Sequence, residues 1–167
     1  SVAKIYTVIA STNPSRGTRG ASAFIVEEGY PGLRYGRIED KLGIRASQTS
    51  EVIFDNCEVP IENRIGKEGE GFKVAMRTLD RSRPGVAAQA LGIAQGAMDL
   101  AANYASQREQ FGKSISTFQG IQFMLADMAT QIEVSRSMIY SVARMIDSGM
   151  TNVAKDASIC KLFAADT

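Results

Sequence analysis

The sequence predicts an α+β protein, a partial antiparallel β domain followed by an antiparallel helix bundle. Three observations carry this. β-branched and aromatic runs broken by turn formers fill the first third. Helical steps of three and four fill the rest, and a glycine-rich link separates the two. The chain has 167 residues, enough for one domain or for one domain plus part of another. The division is expected between residues 65 and 66, so that 1–65 form the end of a β domain and 66–167 the first part of the bundle.

The first strand is Ile5-Tyr6-Thr7-Val8-Ile9, stopped by the turn-forming run Ser11-Thr12-Asn13-Pro14-Ser15-Arg16-Gly17. Ala21 to Val26 is a second, closed by Glu28-Gly29-Tyr30-Pro31-Gly32, and Leu33 to Ile38 and Ser50 to Asn56 supply two more. At this spacing they suggest an antiparallel sheet. Four strands make a poor core by themselves, so further strands are expected upstream.

After Val59-Pro60 the link Gly66-Lys67-Glu68-Gly69-Glu70-Gly71 reads as a hinge. It lacks the lysine-serine or lysine-threonine ending of a phosphate loop. Phe72, Met76, Leu79, Arg83 and Val86 then share one helix face, and one long helix is expected to about Tyr104, kinked at Pro84. Its second half carries Ala87, Ala90, Ala94, Ala97 and Ala101, a small-residue face that lets another helix approach. Ile121, Leu125, Met128, Ile132, Ser135, Ile139, Val142 and Ile146 alternate steps of four and three, the seam of a left-handed bundle. Met124, Met128, Met138 and Met145 are read as core fill rather than ligands. Gly149 should cap this helix, and a shorter one should start near Asn152.

Composition excludes several functions. Nineteen basic residues against eighteen acidic ones leave no cationic excess for nucleic acid. There is no histidine, which removes Ser-His-Asp chemistry, Cys-His pairs and histidine metal sites, so no metal is expected. Cys57 and Cys160 stand far apart, fit a reducing compartment as free thiols, and read as small buried hydrophobes. No apolar run approaches the roughly 20 residues that span a bilayer, and no secretory signal opens the chain. The chain also opens without methionine and stops inside a helical pattern, so neither end reads as a natural terminus. An enzyme of this composition must use carboxylates, lysine or tyrosine, or draw its chemistry from a cofactor.

Two clusters could carry that chemistry. Arg108-Glu109-Gln110-Phe111-Gly112-Lys113 lies between two long helices. It could be a capping loop with Phe111 plugging the core. It could instead hold an arginine beside a phosphate or pyrophosphate while the aromatic covers the ligand. Leu79-Asp80-Arg81-Ser82-Arg83-Pro84 sets Asp80 and Arg83 three apart on one face. That is read as a solvated ion pair in preference to an anchor for a charged ligand.

These residues resemble a known family. Lys41-Leu42-Gly43-Ile44-Arg45-Ala46-Ser47 with Thr49, then Val59-Pro60 and Asn63, look like the end of the middle β domain of acyl-CoA dehydrogenases. Gly69 to Phe72, Leu79-Asp80 to Arg83, Gly92-Ile93-Ala94-Gln95, Arg108 to Gly112, Phe118-Gln119 and Ala126-Asp127-Met128 continue the match in order over essentially the whole chain. The resemblance is greatest to short- and medium-chain enzymes of the butyryl-CoA type. It implies FAD as cofactor, contacted by Arg108, Gln110, Phe111, Phe118 and Gln119, largely on a neighbouring subunit. It implies that Leu79, Asp80 and Arg83 line the site of the acyl-CoA thioester. The implied reaction is α,β-dehydrogenation, in which a carboxylate takes the α-proton and the β-hydride passes to flavin. Electron-transfer flavoprotein is the implied electron acceptor, a homotetramer the implied assembly, and the cytoplasm, or the mitochondrial matrix in a eukaryote, the implied location. In isovaleryl- and long-chain-type members the catalytic glutamate precedes the helix arginine; here Ser82 stands there. The base is therefore expected downstream, and this stretch alone is expected to be inactive. A relative running as an enoyl-CoA reductase or oxidase, or a non-enzymatic assembly module of the same fold, are the alternatives.

Overall fold

The computed structural model describes residues 3–167, in two compact units that divide after Arg77. In the first, β1 (Ile5–Ser11) pairs antiparallel with β2 (Ala21–Glu27) in continuous register from Ile5↔Glu27 to Ser11↔Ala21. Between them the turn formers fold into a 3-10 segment, Pro14–Gly20. β3 (Leu33–Ile38) pairs antiparallel with β4 (Ser50–Phe54), and β5 (Arg64–Ile65) adds to the free edge of β2. The four expected strands are therefore present, but in two sheets rather than one. Tyr6 and Tyr35 connect them, with ring centroids 5.9 Å apart and hydroxyls 2.9 Å apart. That contact, together with burial, pushes the Tyr35 hydroxyl up to about 12. β4 ends at Phe54, short of the expected Asn56. Asp55 N–H turns to the Gly32 carbonyl at 2.9 Å, and Asn56 sits at φ 50, in the left-handed region that asparagine tolerates.

The glycine link is a fixed close approach, and reading it as a hinge was wrong. Gly69 N–H donates to the Ser22 hydroxyl at 2.9 Å, and Ser22 is fully buried on β2. A Cβ on Gly71 would come within 2.5 Å of the Ser22 carbonyl carbon, so only glycine lets the chain lie this close. The Lys67 backbone N–H and then Lys73 hold the Glu70 carboxyl below its usual range, just ahead of the first helical turn.

In the second unit, α1 (Gly71–Gln107) continues from the first and runs unbroken through Pro84, although the Asp80 carbonyl loses its partner there. α2 (Gln119–Asp147) buries Ile132, Ser135, Ile139 and Val142, the centre of the expected seam. α3 (Ala154–Asp166) buries Ala157, Cys160 and Ala164. One core joins the three helices through Ala87, Leu91, Ile132, Ile139, Val142, Ala157, Cys160 and Ala164. α2 ends as expected at Gly149, φ 82. Gly149 N–H donates to Ile146 and Met150 N–H to Met145, which satisfies two terminal carbonyls.

Phe72, Leu79 and Val86 are exposed, and the core face of α1 is the one through Pro84, Ala87 and Leu91, with Ala90 and Ala94 packed against the core as the small-residue face led one to expect. One expectation about the helices needs correction. Met124 is 55 % exposed and fills no core here. Among the described residues no helix is long and apolar enough to cross a membrane, and no group of potential ligands could hold a metal ion.

Candidate functional site

The segment between α1 and α2 is a miniature hairpin. β6 (Glu109–Gln110) pairs with β7 (Lys113–Ser114), and Phe111-Gly112 form the two-residue loop. Both loop residues have positive φ, 52 for Phe111 and 75 for Gly112, as the right-handed twist of a tight hairpin demands. Glycine takes that conformation without penalty. A phenylalanine there carries strain of roughly 1–3 kcal/mol.

The hairpin is held firmly at its base. Ser114 Oγ donates to the Ala105 carbonyl at 2.8 Å, which satisfies one of the orphan acceptors at the end of α1. Arg108 N–H donates to Tyr104 at 2.9 Å, and Ile115 N–H to Arg108 at 2.8 Å. Phe118 then forms the N-cap of α2 without a side-chain cap, and Gln119 is its first residue. The exposed ends of the segment contrast with this rigid base. Arg108 forms no ion pair or side-chain hydrogen bond among the described residues, and Phe111 is 93 % exposed. The Phe111 ring stands edge-on to Phe118, centroids 6.2 Å apart at 89°. The ammonium of Lys113 lies 4.6 Å above the Phe118 ring, a contact that depends on the hairpin and leaves no signal in the sequence spacing.

Of the capping-loop reading, the cap is present, since Ser114 closes the end of α1, but Phe111 plugs no core. Among the described residues, no packing explains why a strained aromatic faces solvent. Arg108, Gln110, Phe111, Phe118 and Gln119 are instead gathered on and beside one rigid hairpin, with positive charge from Arg108 and Lys113. Such a surface suits a ligand with both an anionic group and a flat apolar face.

The second cluster lies elsewhere. Arg83 pairs with Asp80 at 2.7 Å, each about one-quarter to one-third exposed, as the ion-pair reading expected. Ser82 Oγ donates to the Leu79 carbonyl at 3.3 Å, and Leu79 is exposed. At 1.5 Å per residue, Arg83 and the end of α1 are about 36 Å apart along the helix axis. The structure thus does not bring the two groups together within one chain.

A two-sheet β unit, followed by a three-helix unit whose helices α1 and α2 are joined by an arginine-aromatic hairpin, is a specific α+β class. Residues 1–57 match the middle domain and residues 69–167 the C-terminal domain of acyl-CoA dehydrogenase, and the chain belongs to that family. It is 48 % identical over 165 residues to the short-chain specific acyl-CoA dehydrogenase of Clostridium acetobutylicum, covering 99 % of this chain and 43 % of that protein. The chain therefore spans less than half the length of this relative. Among solved structures, butyryl-CoA dehydrogenase from Megasphaera elsdenii superposes with a TM-score of 0.94 at 51 % identity, over 98 % of this chain and 43 % of that one. A structure described as the electron transferring flavoprotein of Acidaminococcus fermentans matches with a TM-score of 0.95 at 55 % identity, over 99 % of this chain and 43 % of that one.

Proposed function

We propose that this chain is part of an FAD-dependent enzyme that dehydrogenates a short acyl-CoA between its α and β carbons. The observation that carries the reading is the hairpin, where an unpaired Arg108 stands beside a strained, solvent-facing Phe111. These residues fit a flavin dinucleotide, which has both a pyrophosphate and flat ring systems. When bound, FAD supplies the hydride acceptor. Arg108 holds the pyrophosphate through charge-assisted hydrogen bonds, Phe111 and Phe118 shield the ligand from water, and Gln110 and Gln119 orient it by hydrogen bonding. Leu79, Asp80 and Arg83 line the thioester site. Their separation from the hairpin along α1 supports sharing between copies, with the hairpin of one serving the flavin of another. A homotetramer, a domain division between residues 65 and 66, electron-transfer flavoprotein as acceptor and a cytoplasmic location belong to the same reading.

No residue of the thioester group is free to take the α-proton. Asp80 is the one carboxylate among them, and it is engaged by Arg83. The 167-residue chain alone is accordingly expected to give no dye reduction with butyryl-CoA. Reduction above a heat-inactivated control overturns that expectation.

The role of Arg108 is tested in the full-length enzyme. Arg108→Ala removes contacts worth roughly 1.5–3 kcal/mol and weakens flavin binding about tenfold to a hundredfold. Arg108→Lys recovers only part, because an ammonium lacks the two-pronged fork. Flavin content that survives dialysis equally in wild type and Arg108→Ala rejects the role.

A further inference from the structure

Gly92-Ile93-Ala94-Gln95 belongs to the match with the family, yet Gln95 has no part in the two clusters described above. It stands half-buried on α1, where Arg136 Nη2 of α2 donates to its Oε1 at 2.6 Å. Each partner is also fixed from its own helix. Gln95 Nε2 donates to Asp99 Oδ1 at 2.8 Å, one turn on along α1. Arg136 Nε donates to Glu133 Oε1 at 3.1 Å, one turn back along α2. The Asp99 carboxylate takes the amide nitrogen, which leaves the amide oxygen for the guanidinium. The four side chains form a directional bridge from one helix to the other.

The core beside this bridge is apolar. Ala87 and Leu91 of α1 share it with Ile132 and Ile139 of α2, and Met98 and Met138 pack against it. Such packing has little direction, because alanines present a smooth surface, methionine adapts, and the α2 seam repeats every three to four residues. A small shift of one helix along the other costs the core little, whereas the bridge is complete at one offset only. Fixing a register is the best-attested use of a buried polar group.

The offset matters because of what joins the two helices. The hairpin leaves the end of α1 and leads within a few residues into α2, and its loop holds Phe111 at φ 52. A strained conformation of this kind persists only where its surroundings over-determine it. The hydrogen bonds of Ser114 and Ile115 at the hairpin base supply part of that constraint. Gln95 lies about 18 Å before the end of α1 along its axis, too far to touch a ligand on the hairpin of the same chain. It can act there only through the helices.

We propose that Gln95 and Arg136 are positioning residues for the hairpin, and that their bridge sets the offset of α1 against α2 at which residues 108–114 hold the strained loop. The consequence for cofactor binding rests on the flavin reading above. The consequence for the hairpin itself does not.

The test uses full-length enzyme carrying Gln95→Leu together with Arg136→Met, which removes the bridge and keeps similar side-chain volume. Apolar replacement of a part-buried polar pair leaves stability unchanged or raised, so the denaturation midpoint should not fall. In flavin-free protein the amides of Arg108 and Ile115 should exchange with solvent about threefold to tenfold faster, and flavin should bind about threefold to tenfold more weakly. Gln95→Glu keeps an acceptor facing Arg136 and should stay near wild type in both measurements. A bridge that only stabilises the bundle would lower the midpoint and leave hairpin exchange in the folded protein as it was, which overturns the proposal. Unchanged exchange at an unchanged midpoint overturns it too, as does faster exchange throughout α1 and α2 alike. Faster hairpin exchange with undiminished flavin binding would keep the positioning role and remove the hairpin from the flavin site.

Discussion

Phe111 shows how one residue can trade stability for function. Its φ of 52 suits glycine, and its side chain buries almost nothing in this chain. Replacing it with glycine removes the left-handed penalty and gives up only the edge contact with Phe118. Flavin-free Phe111→Gly protein should therefore be as stable as the parent, or more stable by up to about 1 kcal/mol. Its flavin should nonetheless dissociate more readily. Chemical denaturation of the flavin-free enzyme and flavin retention after dialysis read the two effects separately. A clear loss of stability would make Phe111 a structural plug and remove the main support for the cofactor reading. This residue also marks a limit of the sequence. Its position between two helices was legible, but its exposure depends on the hairpin loop formed by only two residues, and local pattern does not report that.

At the scale of elements, periodicity locates the faces of a helix, and it says which face is covered only where a single apolar face exists. The seam of α2 appears as expected because a single apolar face meets α1 and α3. On α1 two apolar faces coexist, one through Ala87 and Leu91 and one through Phe72, Leu79 and Val86. Three-and-four spacing cannot say which of them is covered. The glycine link was misread for a related reason, because a flexible glycine and a closely packed one look alike in sequence. Substitution separates these cases. Gly71→Ala would drive a methyl against the backbone of Ser22 and Ala23, at 2.5 to 2.8 Å. The loss expected from such overpacking is about 1–3 kcal/mol. Gly92, inside α1 with nothing within 4 Å of its would-be Cβ, should behave oppositely. Gly92→Ala should gain roughly 0.5–1 kcal/mol of helix propensity. Thermal unfolding of the two variants checks both signs, and a stabilised Gly71→Ala would restore the hinge.

For the whole molecule, the accessible surface is the quantity that decides. The chain exposes 11554 Å² at a mass of 18.0 kDa. The usual scaling gives about 8,000 Å² for a folded monomer of that mass, and about 9,700 Å² even for two separate units of half the mass. The excess is therefore not explained by division into two units. Large apolar side chains are part of the exposed surface. Ile93, Leu100 and Tyr104 continue the outer stripe of α1 at steps of seven and four, with exposures of 68, 73 and 61 %. Phe123, Met124 and Tyr140 are exposed on α2, and Ile159 and Leu162 on α3. Apolar side chains exposed in this number favour association, which removes apolar surface from water at roughly 25 cal/mol per Å². The same stripe on α1 suits packing between helical domains in the proposed tetramer. In dilute buffer the 167-residue chain should therefore self-associate, and sedimentation velocity at micromolar concentration should show species heavier than a monomer. The full-length enzyme should sediment as a tetramer. A stable, monodisperse species of 18.0 kDa would mean that these three helices close a core unaided, and the outer stripe of α1 would then need a different explanation.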